Sequence, residues 1–498
     1  MRTALLLAAS LALALANAGA AVPGVAAELP PLEFEHYELP NGLDVILHVD
    51  HSTPIVGVNV WYHVGSKNEK PGRTGFAHLF EHMMFQGSQH YDNDYFLPLQ
   101  NAGGQVNGST TEDRTNYWEN VPSDQLELAL FLEADRMGYL VPAMTEEKLA
   151  NQRDVVKNEK RQGDNQPYAK AWDLMPGLLF PGEHPYSWTV IGSMEDLSAA
   201  SLEDVSEFFR RYYAPNNASL AVAGDFDLAQ AKAMIEKYFA GIPSGPAVDR
   251  LEAWVPRLDG ERRFLAEDAV EMGKLIMAWH MPGNYQPGDA ELELLSSVLA
   301  TGKTSRLYKR LVYDRQIAQE VEVYVDRREL SSIFMIEATA RDGVPLERIE
   351  AVIDEELAAV RSKGVTKDEL SLAKVGYEGR FLRSLQRVGA WGGKADVLNK
   401  YNTFLGDPGR LQWDLDRHLA VTPAAVQRTA AEYLGPQQRA VLEIVAAQKP
   451  VPATASAPAS ELPGAGAPVS FSPPALEHAT LANGLELYLV EKHELPLV

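Results

Sequence analysis

The sequence predicts an α+β protein of two similar domains, each a mainly antiparallel sheet with helices packed on one face, with the start of a third domain at the C-terminus. Three observations carry this. The first is a repeat: residues 34–56, "FEHYELPNGLDVILHVDHSTPIV", and 476–498, "LEHATLANGLELYLVEKHELPLV", agree at ten of 23 positions at an offset of 442. In both copies an Asn-Gly pair, Asn41-Gly42 and Asn483-Gly484, marks a tight turn leading into an apolar strand. The second is a pair of closing segments. Arg210 to Pro243 reads as strand, turn and a helix ending near Gly241, and Ala430 to Ala447 as helix end, turn and strand. Each closes one unit, which places the domains at 30–250 and 255–447. The third is periodicity: strand patterns near 42–49, 55–64, 104–111 and 115–121 stand beside helical patterns near 75–87, 124–137 and 145–162.

Taken in order, residues 1–20 read as an export signal. Arg2 supplies the positive start, Ala4 to Ala16 the apolar run, and Ala16-Asn17-Ala18 or Ala18-Gly19-Ala20 the small-residue cleavage site. The alternative is an N-terminal membrane anchor, but the run is shorter than the roughly 20 residues a span needs. The expectation is a periplasmic or secreted protein with no stable membrane insertion. Residues 448–474, rich in Pro, Ala, Ser and Gly and without hydrophobic periodicity, read as a linker. Residues 475–498 then begin a second half, cut off mid-strand, so the C-terminal half of the same polypeptide beyond Val498 is an expected partner. The net charge of −23 argues against nucleic acid, which needs basic patches to neutralise phosphates. The chain has no cysteine, which leaves His, Asp and Glu as the available metal ligands.

The stretch "GFAHLFEHMMF", Gly75 to Phe85, carries the chemistry. Residues four apart share a helix face, so His78 and His82 can point at one ion, and Phe76, Leu79, Phe80, Met83 and Met84 are apolar enough to bury the helix. Two histidines with one carboxylate form a common catalytic zinc set that leaves a position open for water, and Glu81 is placed to act on that water as general base. A helix with two solvated histidines explains the same residues. The third ligand decides. The helix expected from Thr145 to Gln162 opens with a capping Thr and two acids, and it carries Glu159 two turns from Gln152, beside Val155 and Val156. A carboxylate on a semi-apolar face needs a partner, and a metal supplies one.

With these residues the chain resembles the pitrilysin/insulinase family of zinc peptidases, the inverzincins. "GGQVNGSTTEDRTNYWENVP", "PYAKAW", "HPYSWTVIGS" and "YYAPNNASLAVAGDFD" resemble family blocks in the same order. The resemblance implies one zinc per chain on His78, His82 and Glu159, with Glu81 as catalytic base. It implies a second-shell role for position 152, where this chain has Gln152 and the family commonly has Glu. It also implies that the strand holding Asn107 and Gly108 pairs with an extended peptide substrate, and that the 30–447 region is half of a clamshell. An Arg and a Tyr that the family carries in its cleft-closing domain fall here on Val312 and Gln319, so this second domain is not expected to supply that pair, and Arg306 reads as structural. The implied activity is zinc metalloendopeptidase cleavage of extended peptides or unfolded segments in an enclosed chamber, with zinc-bound water activated by Glu81. The alternatives are a non-catalytic peptide-binding or scaffold paralogue and a processing subunit that needs a separate partner chain.

Overall fold

The computed structural model describes residues 32–447, 477–481, 483 and 485–489. The expected signal at 1–20, the linker at 448–474 and the rest of 475–498 lie outside the described residues. The first sheet is built from β1 (Glu35–Glu38), β2 (Asp44–Val49), β3 (Ile55–Tyr62), β4 (Gln105–Thr110), β5 (Thr115–Pro122) and β6 (Ala218–Gly224). Their order is β1-β2-β6-β3-β5-β4, which leaves β4 at an edge. The helices interleaved with them are α1 (Phe76–Met83), α2 (Phe96–Asn101), α3 (Leu126–Tyr139), α4 (Glu146–Asp164), α5 (Lys170–Leu179), α6 (Met194–Ala199), α7 (Leu202–Tyr212) and α8 (Leu228–Phe239).

A second sheet, ordered β7-β11-β8-β10-β9, combines β7 (Arg262–Asp268), β8 (Lys274–Met281), β9 (Ala318–Asp326), β10 (Ser332–Ala340) and β11 (Arg439–Ala446). Its helices are α9 (Asp289–Ala300), α10 (Leu346–Lys363), α11 (Lys367–Ser384), α12 (Lys394–Leu405), α13 (Leu411–Leu419) and α14 (Pro423–Tyr433). The plan of the first sheet recurs. In each, the closing strand inserts between two strands consecutive in the chain, β6 between β2 and β3 and β11 between β7 and β8, parallel to the earlier and antiparallel to the later. The remaining pairs are antiparallel in both.

Strand period sends alternate residues to opposite faces, and here both faces leave water. On one side of the first sheet, Val58, Val60 and Tyr62 share a core with Leu79 and Phe80 of α1, Leu130 of α3 and Ile235 of α8. On one side of the second, Leu275, Met277 and Trp279 share a core with Leu295 of α9, Ile353 of α10 and Val426 of α14. These are the expected one-sided helix layers. Each remaining face is covered by a helix from the other part of the chain. Ala395 and Leu398 of α12 pack on Ile46, Ala221 and Ala223, whereas Ala171, Met175 and Leu179 of α5 pack on Ile276, Ala278 and Leu442. The chain up to Ala447 accordingly clusters as one compact unit.

The repeated hairpin is reproduced in detail. Glu35 faces Leu47 and Glu38 faces Asp44; at the same offset of 442, Glu477 faces Leu489 and Thr480 faces Glu486 across β12 (Glu477–Thr480) and β13 (Glu486–Leu489). The Asn41 carboxamide oxygen accepts from Leu43 N at 3.3 Å, and that of Asn483 accepts from Leu485 N at 3.1 Å. In the first copy Asn41 is buried, and its Nδ2 also donates to Phe239 O at 2.8 Å and Ile242 O at 2.9 Å, tying the turn to the end of α8. Removing one partner leaves buried carbonyls unsatisfied at about 1–3 kcal/mol. Asn41→Ala should therefore lower unfolding stability by ~2 kcal/mol in urea titration, with no change in metal content.

Candidate metal centre and catalytic base

The helix α1 is shorter than its sequence pattern suggests. It ends at Met83, and Gly87 lies beyond it in a turn at φ +86°, where a Cβ would come within 2.7 Å of Asn93 N. Its start is set by Gly75 at φ +84°, a residue with no side chain to cap the helix. The buried carboxylate of Glu69 does that work, accepting from Gly75 N at 3.0 Å and Ala77 N at 2.7 Å. Burial pushes the Glu69 pKa well above the usual range, against the pull of these two amides. Phe76, Leu79, Phe80 and Met83 anchor the helix in the core, so its histidines are presented on the opposite side.

That side meets α4. Thr145 caps α4 by accepting from Lys148 N, with Glu146 and Glu147 in the first turn. Glu159 projects between the two imidazoles: its Oε2 lies 3.3 Å from His82 Nε2 and 3.7 Å from His78 Nε2. The two rings stand at 88° with centroids 4.8 Å apart. One ligand atom from each of His78, His82 and Glu159 falls within 4.8 Å of the others, the one such group of three among the described residues. The valines beside Glu159 divide, Val156 buried and Val155 exposed, and the carboxylate itself is half exposed.

Electrostatics fit the donor set to a cation. Burial, helped by the neighbouring His82, pushes the His78 pKa down to about 4, so this imidazole is neutral near pH 7 and free to donate its lone pair. For His82 burial opposes protonation, but the Glu159 carboxylate outweighs it and the pKa is raised. The hydrogen bond from His82 lowers the pKa of Glu159 in turn. Gln152 is buried beside His82 and helps to raise the pKa of that ring. The three residues match the two-imidazole, one-carboxylate composition of catalytic zinc sites.

Glu81 lies on the α1 face toward β4, where Thr110 Oγ1 donates to its Oε2 at 2.7 Å. Burial raises the Glu81 pKa even though the Thr110 hydrogen bond opposes the shift. Thr110 was not singled out by the motif, yet strand alternation from Gly108 puts it on the same face. Behind it, Thr115 Oγ1 lies 3.4 Å away, and Tyr213 donates to Thr115 at 3.4 Å.

Asn107 and Gly108 sit on β4, paired with Trp118 and Tyr117 of β5. Gly108 is buried, and a Cβ there would approach Tyr117 at 3.0 Å and Phe85 at 3.1 Å, so packing beneath the strand requires the glycine. Gly103 and Gly104 precede the strand instead of lying in it. Asn107 is exposed on the alternate face, and its side chain accepts from Gly108 N at 2.8 Å. The structure thus joins His78, His82, Glu159, Gln152 and Glu81 in one group, and sets Asn107 apart from it. In the second sheet region, Val312 lies against the core and Gln319 is exposed on β9, while Arg306 holds Glu369 through two 2.7 Å hydrogen bonds.

Comparison with known proteins agrees with this architecture. Residues 44–175 match the family model described as insulinase (peptidase family M16), and residues 199–377 match that of the peptidase M16 inactive domain. The chain belongs to the insulinase family, peptidase family M16. A zinc protease of Helicobacter pylori, PqqE, is 28% identical over 358 residues, covering 71% of this chain and 80% of that protein. A zinc protease of Bacillus subtilis, YmxG, is 25% identical over 71% of this chain and 84% of its own. Among solved structures, a protease from Helicobacter pylori superposes with a TM-score of 0.77 at 26% identity, covering 84% of this chain and all of that one. Pitrilysin shares the fold with a TM-score of 0.70 at 20% identity, covering 84% of this chain and 45% of its own. His78, His82 and Glu159 all fall inside the 44–175 match.

Equilibrium dialysis against zinc should load about one ion per chain and raise the melting temperature, because a ligand at 100 times its Kd stabilises the native state by about 2.7 kcal/mol. His82→Ala should lose most of that zinc. Stoichiometric binding by a His78→Ala/His82→Ala variant would place the metal elsewhere.

Proposed function

We propose that the protein is a zinc metalloendopeptidase that hydrolyses extended peptides or unfolded segments. The observation that carries this is the meeting of a partly buried carboxylate, Glu81, with both a two-histidine, one-glutamate group and the free edge strand β4. His78, His82 and Glu159 would hold the zinc. When bound, zinc supplies Lewis acidity that polarises a peptide carbonyl and eases loss of a proton from water. Glu81 takes that proton and later returns it to the leaving amine, and its raised pKa suits it to both transfers. Thr110 fixes the rotamer of Glu81, so one carboxylate oxygen stays free for the water. A peptide adding to β4 by backbone pairing must be extended, which selects unfolded segments over folded proteins.

The same proposal takes in location and partner. The N-terminal signal pattern, together with a solved relative described as the periplasmic protease PqqL from Escherichia coli, supports export. The described residues contain no helix long and apolar enough to cross a membrane. This chain covers 56% of that relative, and its second hairpin repeats the first in register, which supports a second half closing a chamber over the site. A non-catalytic reading draws on the inactive-domain match at 199–377, a stretch that includes none of the three candidate ligands.

Two substitutions test the reading. Glu81→Gln should retain zinc and fold yet lose hydrolysis of an unstructured peptide by at least about 10², the range expected when a general base is removed. Near wild-type cleavage by that variant would exclude Glu81 as the base. Thr110→Val should lower kcat about tenfold, ~1.4 kcal/mol, with zinc content unchanged, and Thr110→Ser should recover most of it. In a Glu81→Gln background the valine substitution should have no further effect on rate.

A further inference from the structure

A cavity of about 450 Å³ lies where the two sheet regions of the unit meet, lined among others by Trp61, Arg114, Arg327, Arg328, Lys400 and Phe404. Its wall begins where the proposed peptide track ends. The strand β4 ends at Thr110, the residue that donates to Glu81, and the next four residues, Thr111 to Arg114, form part of the cavity wall. A chain that pairs with β4 and runs past its end therefore passes the turn that walls this space.

The wall carries four acidic and four basic side chains, and nearly all are already engaged. Arg328 pairs with Glu112 at 2.9 Å and Asp326 at 2.6 Å. Lys67 takes Asp113 at 3.1 Å and Glu329 at 2.5 Å, and His63 adds a 2.9 Å contact to Glu329. Arg327 reaches Glu293 at 3.3 Å. Arg114 is spent on the Ser109 carbonyl at 2.7 Å, Ser109 Oγ at 2.6 Å and Asn116 Oδ1 at 3.0 Å. Lys400 is different. Its ammonium lies 4.6 Å from the centroid of the Tyr401 ring, and Asp414 and Asp396 attract it from beyond ion-pair distance, with no carboxylate in direct contact among the described residues. A partly buried ammonium with no anion in direct contact is costly to keep, and a carboxylate entering the cavity relieves that cost. Trp61 and Phe404, edge to face at 5.8 Å, supply an apolar wall beside it for the stem of a side chain. In a chain of net charge −23, long-range attraction of acidic peptides is absent, so selection for a carboxylate requires a local cation of this kind.

We propose that this cavity is a substrate subsite that receives a carboxylate of the peptide bound along β4 and pairs it with Lys400. The carboxylate comes from an acidic side chain or from the peptide's C-terminus. The proposal rests on the peptidase reading for its substrate, but its test by binding does not depend on turnover.

Three unstructured, fluorescently labelled peptides of one neutral sequence distinguish the sources: a C-terminal amide, a C-terminal acid, and an amide with a single Glu scanned along the sequence. Binding is measured on the zinc-loaded full chain carrying Glu81→Gln, and hydrolysis separately on the unsubstituted protein. The subsite predicts that the acid, or the Glu peptide at one optimal position, binds about tenfold more tightly than the amide. Lys400→Met should bring that ratio to about one, and Lys400→Arg should preserve it. The preference should persist between 50 and 200 mM salt (roughly), since a charge pair within a cavity is screened less than one at the surface. Equal binding of all three peptides by the chain with Lys400 intact overturns the subsite, whether or not the Lys400 variants fold. An unchanged preference in folded Lys400→Met overturns it as well. Carboxylate-selective binding without any hydrolysis by the unsubstituted protein would retain the subsite and reject the peptidase reading.

Discussion

Two sheets with apolar residues on both faces must each be covered twice, and neither sheet is covered twice by its own flanking helices. The solution is reciprocal. The helix α12 closes the back of the first sheet, and α5 closes the back of the second. Burying an apolar side chain contributes roughly 1.5–3 kcal/mol, so detaching either helix would expose several such residues at once. The exchange also explains why two topologically similar sheets behave as one unit. Polar contacts follow the same route: Asn399 of α12 donates to Asn59 O at 2.8 Å on the back of β3, and Trp61 Nε1 donates to Asp396 at 2.9 Å.

With α12 in place, the hairpin of β4 and β5 is held from both sides. Beneath it, Arg136 of α3 is fully buried with Glu119 of β5 and Glu133, reaching Glu119 at 3.1 Å and donating from Nε to Glu133 at 2.8 Å. Its guanidinium stacks 4.1 Å from the Tyr95 and Tyr117 ring centroids, and Tyr95 donates to Glu119 at 2.9 Å. A buried ion cluster of this kind is a poor source of net stability, but losing one member leaves an uncompensated charge. It therefore fixes position more than it adds stability. At the hairpin's turn, Asp113 accepts from Tyr186 at 2.5 Å and from Glu329 N at 2.9 Å, which links the edge strand to the second sheet region.

The chemistry of the site depends on that fixed hairpin. Glu81 is aligned by Thr110, the last residue of β4, so the edge strand of the first sheet also sets the position of this carboxylate beside His78 and His82. The candidate ligands His78 and His82 share α1 with Glu81, and only Glu159 comes from a second element, α4. Thr110 touches Glu81 and none of the three candidate ligands, so substitutions at His82 and at Thr110 reach different parts of the group.

Local patterns determined much of this in advance. The spacing of His78 and His82 on one helical face needs only the 3.6-residue period, and the Asn-Gly hairpins need only the conformational freedom of glycine at the turn, so these were legible residue by residue. The α+β class and the order of strands and helices followed from periodicity for the same reason. Other features had no local signature. That Gly108 is required by Tyr117 and Phe85, that Glu69 caps α1, and that Thr110 rather than Asn107 meets the base depend on which face of a strand or helix finds which neighbour. The reciprocal covering by α5 and α12, and the cavity that Lys400 lines with Trp61 and Arg114, depend on segments far apart in the chain. A sequence fixes which residues prefer to be buried, but the partner that buries them is chosen only when the sheets close, because hydrophobic attraction carries no direction of its own.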